Sequence, residues 1–140
     1  MNQNNGCNQT MDVTKQWDTM QSTDFIVSVI PELYLKLKRP ELKDKIGKIL
    51  QVIIEFTQGI LSAKEWHRLA WTMQVMNYTY IRGDLEVQSK IKTIFIAAFE
   101  DFKRVCSPNE WTLIEKKLPI ILRNEHRLMQ VNKKDEQFKN

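Results

Sequence analysis

Between Val87 and Val105 the apolar residues Val87, Ile91, Ile94, Phe95, Ala98, Phe102 and Val105 recur at spacings of three and four. Lys90, Lys92, Glu100 and Lys103 fall outside that stripe. An α-helix turns once every 3.6 residues, so this spacing stacks the apolar side chains on one face and commits that face to a core. The same period returns elsewhere. Leu42, Ile46, Ile49, Ile53, Phe56 and Ile60 form a second stripe, Trp66, Leu69, Ala70, Met73, Met76 and Tyr80 a third, and Trp111, Ile114, Leu118, Ile121 and Leu122 a fourth. With no strand signal between them, the pattern predicts an all-α chain.

The punctuation between stripes agrees. Only four Gly and four Pro interrupt 140 residues, and most stand where helices stop or start. Pro31 interrupts the helical stretch that follows Asp24, and Arg39-Pro40 breaks the pattern again, so a kink or two short helical pieces are expected there. Ser62-Ala63-Lys64-Glu65 and Ser107-Pro108-Asn109-Glu110 both have capping-box spacing, in which a serine hydroxyl and a glutamate exchange bonds with the first free amides. Gly83-Asp84 pairs a helix-terminating glycine with an N-capping aspartate, which predicts an antiparallel hairpin of the flanking helices. Pro119 predicts a last kink. The expected architecture is a single-domain bundle, or a short helical-hairpin array, of five to six helices. It spans residues 23–130, between a polar, loosely ordered leader at 1–22, docked at most through Trp17, and a frayed polar tail at 131–140. After each capping-box glutamate comes a tryptophan, and three positions later an aliphatic residue, Leu69 or Ile114. That is a faint internal repeat.

Bulk properties exclude several classes. At 140 residues, 42% hydrophobic and 27% charged, the chain is globular in composition and sized for one core. Apolar runs such as Thr93 to Phe99 fall far short of the roughly 20 residues that cross a bilayer. Met1 to Thr10 is Asn/Gln-rich without Lys or Arg, so no secretory signal reads there and a cytoplasmic location is expected. Cys7 and Cys106 are expected to be free thiols, because two distant cysteines make neither a disulfide framework nor a Cys-type metal site.

No motif carries recognisable chemistry. His67 and His126 are the only histidines, and neither has a partner at metal-ligand spacing. No Gly-rich phosphate loop or nucleophile elbow appears. Neither catalytic residues nor a cofactor or metal is therefore expected. Glu100-Asp101 are adjacent acids, but neighbours on a helix diverge by about 100 degrees and cannot form a dyad. They read as a solvated face paired with Lys103 and Arg104, or as an acidic contact spot. Lys36, Lys38, Arg39, Lys43, Lys45 and Lys48 against Glu41 and Asp44 carry +4, equal to the formal charge of the whole chain. That patch reads as solvated helix ends, or as a surface for nucleic acid or an acidic protein. Of four tryptophans, Trp71 points away from the third stripe. If exposed beside Val75 and Tyr78, it marks an interaction face; otherwise its helix is buried on both sides. The candidate partner-contacting residues are thus Lys36, Lys38, Arg39, Lys43, Trp71, Glu100 and Asp101.

The stretch Tyr80 to Ile91, with its Arg82-Gly83-Asp84 turn and Val87-Gln88 pair, continues to Ile96-Ala97-Ala98-Phe99-Glu100-Asp101-Phe102. It resembles a pattern in several small all-helical families linked to bacterial toxin immunity, over about 25 residues. The resemblance implies a non-catalytic protein that neutralises a toxin encoded nearby by covering its active site. Immunity proteins against nuclease toxins are generally acidic, whereas this chain has a pI near 9.1. The implied toxin is therefore not a basic nuclease, or a local acidic patch does the binding. The runner-up expectation is a small basic nucleic-acid-binding regulator using the Lys36 to Lys48 segment.

Overall fold

A computed structural model describes the backbone over residues 15–139 and side chains over residues 15–134. Cys7 and most of the predicted leader lie outside the described residues. Helix α1, Thr19–Val29, begins inside the stretch expected to be loose. Its start is a capping box: the Asp18 carboxylate accepts from the Gln21 amide at 2.8 Å, and the Gln21 side chain accepts from the Asp18 amide at 3.0 Å. Just ahead, the Trp17 amide donates to the Arg82 carbonyl and the Asp84 amide donates to the Trp17 carbonyl, at 2.8 and 2.7 Å. The Trp17 ring packs on Phe25 and Tyr78 with centroids 5.0 and 5.7 Å away, and the Arg82 guanidinium lies 4.8 Å above it. Trp17 is the anchor that docks this end of the chain.

Each early proline opens a short 3₁₀ turn, where its preset φ fits and its missing donor costs nothing. Pro31–Leu33 leads into α2, Tyr34–Leu37, and Pro40–Leu42 precedes α3, Ile46–Ser62. Leu33, Leu37 and Leu42 pin these pieces to the core, and Ile46, Ile49, Leu50, Ile53, Ile54, Ile60 and Leu61 form the buried face of α3.

The expected capping box at Ser62 does not form. Ser62 is the last residue of α3 and has helical backbone, whereas an N-cap must leave the helical region. Instead Lys64 adopts φ 57°, its amide donates to the Leu61 carbonyl, and the Glu65 amide reaches back to Ile60 at 3.1 Å. This is a left-handed helix stop, which satisfies carbonyls of the ending helix.

Helix α4, Trp66–Arg82, ends at Gly83, and α5, Leu85–Lys90, starts under the Asp84 carboxylate, which accepts from the Val87 amide at 2.9 Å. From Ile91 to Ile96 the chain forms a π-helical segment, then α6 runs Phe99–Arg104. A π turn closes i→i+5 bonds and so accommodates one residue more than an α turn. The face presented to the core therefore shifts past it. Ile96 and Phe99, outside the predicted stripe, are wholly buried, whereas Ile94 is half-buried and Val105 is 59% exposed.

Phe95, Phe99 and Phe102 meet at centroid distances of 5.7 to 6.1 Å, with Trp111 6.3 Å from Phe99. α3 packs against α4 and the π segment, which places the core among these elements. α7, Pro108–Lys117, carries the predicted capping box: the Glu110 amide donates to the Ser107 hydroxyl at 3.1 Å, and the Ser107 amide to the Glu110 carboxylate at 2.9 Å. The chain breaks at Leu118-Pro119 and resumes as α8, Ile120–Lys139. The segment expected to fray from residue 131 continues this helix; its Lys, Glu and Gln are good helix formers without any apolar face. No helix among the described residues is long and apolar enough to cross a membrane. The molecule is an all-α, single-domain helical bundle.

Candidate functional site

A cleft of about 240 Å³ opens between the first turns of α4 and the length of α7. Trp66, Leu69, Ala70 and Met73 form one wall, and Glu110, Leu113, Ile114, Lys117 and Leu118 the other. Trp66 to Met73 on α4 and Glu110 to Lys117 on α7 each take positions i, i+3, i+4 and i+7 of a helix face, and Leu118 follows at the end of α7. Leu69, Met73 and Leu118 are buried and make the floor, while Trp66 and Leu113 stand 41% and 59% exposed at the rim. The reversal at Lys64 brings its ammonium across to the Glu110 carboxylate, 3.2 Å away. The Ser107 amide, and next Lys64, hold the Glu110 carboxyl below its usual range. One end of the groove therefore stays ionised. Lys117 lies seven residues further along α7 and makes no ion pair among the described residues. The lining is apolar between charged ends, Glu110 with Lys64 at one and Lys117 at the other.

Lys38, Arg39 and Lys43 line a smaller cleft of about 170 Å³ with Met20, Leu37 and Leu42. Lys38 is paired with Asp24 and Arg39 with Glu41, and the Arg39 Nε donates to the Lys36 carbonyl at 3.0 Å. Part of the predicted basic patch is neutralised locally. Lys36 falls in a separate depression with Glu55, Phe56, Glu65 and Arg68.

Trp71 is 52% exposed and Tyr78 43%, but Val75, which falls between them in the helix, does not join them in one open face. Val75 is buried, and Tyr78 packs against Trp17 and Phe25. α1 lies against this side of α4, and the Trp71 indole donates to the Val29 carbonyl at 2.9 Å.

Glu100 and Asp101 diverge as adjacent helical residues must. Asp101 is exposed and paired with Arg104. Glu100 is half-buried: it meets the Nε2 of His126 at 2.6 Å and the side-chain amide of Gln130 at 3.0 Å. His126 is 2% exposed, with its ring 5.3 Å from Phe99. Burial by itself raises the Glu100 carboxyl; the hydrogen bond and charge of His126, then Gln130 and Lys103, outweigh it and leave the group below its usual range. A carboxyl depressed in the folded state adds stability above its unfolded value, and that stability is lost as pH falls through the folded value. Glu100→Gln is therefore expected to flatten the fall in urea midpoint between roughly pH 5 and 3. Parallel curves for variant and parent count against this.

Among the described residues no group of three or more His, Cys, Asp or Glu is placed to hold a metal ion. Cys106 is a half-buried free thiol, pushed up first by burial and then by Glu110. None of the seven candidate contact residues lines the groove between α4 and α7; Trp66, Leu69, Ala70, Met73, Ile114 and Leu118, which do, belong to the apolar stripes that the spacing assigns to the core. The matching Glu-Trp segments at 65–66 and 110–111 were the visible signal, but their partition was not: Trp111 is 6% exposed and Trp66 lies open at the rim.

Fold and groove together define a helical bundle with a two-walled apolar groove between α4 and α7. The chain belongs to the family described as Domain of unknown function (DUF7674), whose profile matches residues 23–137. Comparison with curated proteins and with solved structures finds no match in either.

Proposed function

We propose that this protein is a non-catalytic, cytoplasmic protein-binding inhibitor, most concretely an immunity protein that neutralises a cognate bacterial toxin. The observation that supports this reading is the groove, where Trp66 and Leu113 expose apolar surface between charged ends. Exposed apolar surface framed by polar residues is the usual mark of a protein contact. Co-expression with the product of an adjacent gene is expected to relieve that product's toxicity and to yield a 1:1 complex by light scattering. A neighbour that stays toxic and elutes separately overturns the reading.

A second reading has one observation in its favour. Lys36, Lys43, Lys45 and Lys48 are exposed and make no ion pair among the described residues. A nucleic-acid-binding regulator would use them as phosphate contacts. Its gel-shift affinity is then expected to fall steeply with salt, and reversal of Lys43 and Lys48 to Glu to reduce the salt slope by about two. Absence of a shift at low salt removes this reading.

A further inference from the structure

We infer that the groove between α4 and α7 is the docking site for an amphipathic helix of a partner protein, with acidic residues beside its apolar anchors. The inference rests on the protein-binding reading above and specifies its contact. Three features carry it.

The first is periodicity. Trp66, Leu69, Ala70 and Met73 on one wall face Glu110, Leu113, Ile114 and Lys117 on the other, so each wall repeats over about 10.5 Å of helix rise. That length matches two turns of a guest helix presenting residues i, i+3 or i+4, and i+7, the anchors used in helix-in-groove recognition.

The second is size and shape. At about 240 Å³ the cleft is smaller than the roughly 300–1,000 Å³ of sites that enclose whole small ligands. It is open along its rim, where Trp66 and Leu113 are exposed, and closed at its floor. Such a trough takes side chains from a body that stays outside.

The third is charge. Glu110 is already engaged by Lys64 and by the Ser107 amide. Lys117 has no ionic partner among the described residues, and Lys116 beside it is exposed. A guest with acidic residues next to its last anchor completes that end, and a basic guest meets like charge.

Three labelled helical peptides test this on the full-length protein. One carries leucines at i, i+3 and i+7 followed by glutamates; the second replaces the glutamates with lysines; the third has the first peptide's composition with the leucines spread around the helix. Anisotropy titrations are expected to rank the acidic amphipathic peptide first by about tenfold or more. Amide shifts are expected to concentrate at Trp66, Leu69, Leu113 and Lys117. Leu113→Glu, at a position 59% exposed and so compatible with folding, is expected to abolish the preference with an unchanged circular dichroism spectrum. Lys117→Glu is expected to turn it toward the lysine peptide. Equal binding of all three peptides, shifts centred elsewhere, or no binding at millimolar peptide overturns the inference. So does a dimer that Leu113→Glu dissolves, since the occupant is then a second copy. A 1:1 complex with the neighbouring gene product that tolerates Leu113→Glu and Lys117→Glu overturns the groove inference while leaving the inhibitor reading intact. Peptide binding without any such complex does the reverse.

Discussion

Phe99→Ala is expected to destabilise the protein by about 3–5 kcal/mol, the usual result of emptying a fully enclosed aromatic site. The Phe99 ring is wholly buried among Phe95, Phe102, Trp111 and His126, with centroids 5.3 to 6.3 Å away. Val105→Ala is expected to change stability by less than about 0.5 kcal/mol, because Val105 is 59% exposed. The two substitutions together test the π segment at Ile91–Ile96. An uninterrupted α-helix from Leu85 would carry Val105 on the same face as Val87, Ile91 and Phe102, and would turn Phe99 aside. Urea midpoints at constant slope decide it: comparable losses at both positions are incompatible with the π turn.

Gly83→Ala is expected to cost about 1–3 kcal/mol, the range for forcing atoms into a packed site. Gly83 has φ −68° and ψ 153°, a conformation open to any residue. Glycine is required there by proximity: a Cβ would stand 2.5 Å from the Val87 Cγ1 and 2.9 Å from the Thr79 carbonyl oxygen. The backbone cannot retreat, since the residues on either side are tied to Trp17 by two hydrogen bonds. The internal control is Gly59, in the body of α3, where an added Cβ meets nothing within 4 Å. Gly59→Ala is expected to stabilise by about 0.5–1 kcal/mol through the lower backbone entropy of alanine. Opposite signs at the two positions in thermal or urea unfolding are the expected result, and stabilisation at both sinks the account of Gly83.

How far the sequence could be read depended on the range of the interaction involved. The stop at Gly83, the cap at Asp84, the Ser107–Glu110 box and the break at Pro119 all rest on bonds or clashes between residues within four positions of one another, and all are present. The Ser62–Glu65 box had the same spacing and failed, because α3 runs through Ser62 and a left-handed turn at Lys64 took over the helix end. The spacing is identical in the two cases; only the course of the preceding helix separates them. Glu100 shows the same limit. Its helical neighbours pointed to a solvated pair with Lys103 and Arg104, and a histidine 26 positions away claimed it.

By itself the sequence determined that this chain is all-helical, where most helices begin and end, and which face of α3 turns inward, because period, caps and breakers act over one or two turns. Only the tertiary structure decided how the central stripe is re-registered by a π turn, which tryptophan is buried and which lies open, and that α4 and α7 leave a groove between them. These depend on which helices come to lie together. That is set by the summed burial of distant faces such as Phe95, Phe99 and Trp111, whose contacts no local spacing encodes.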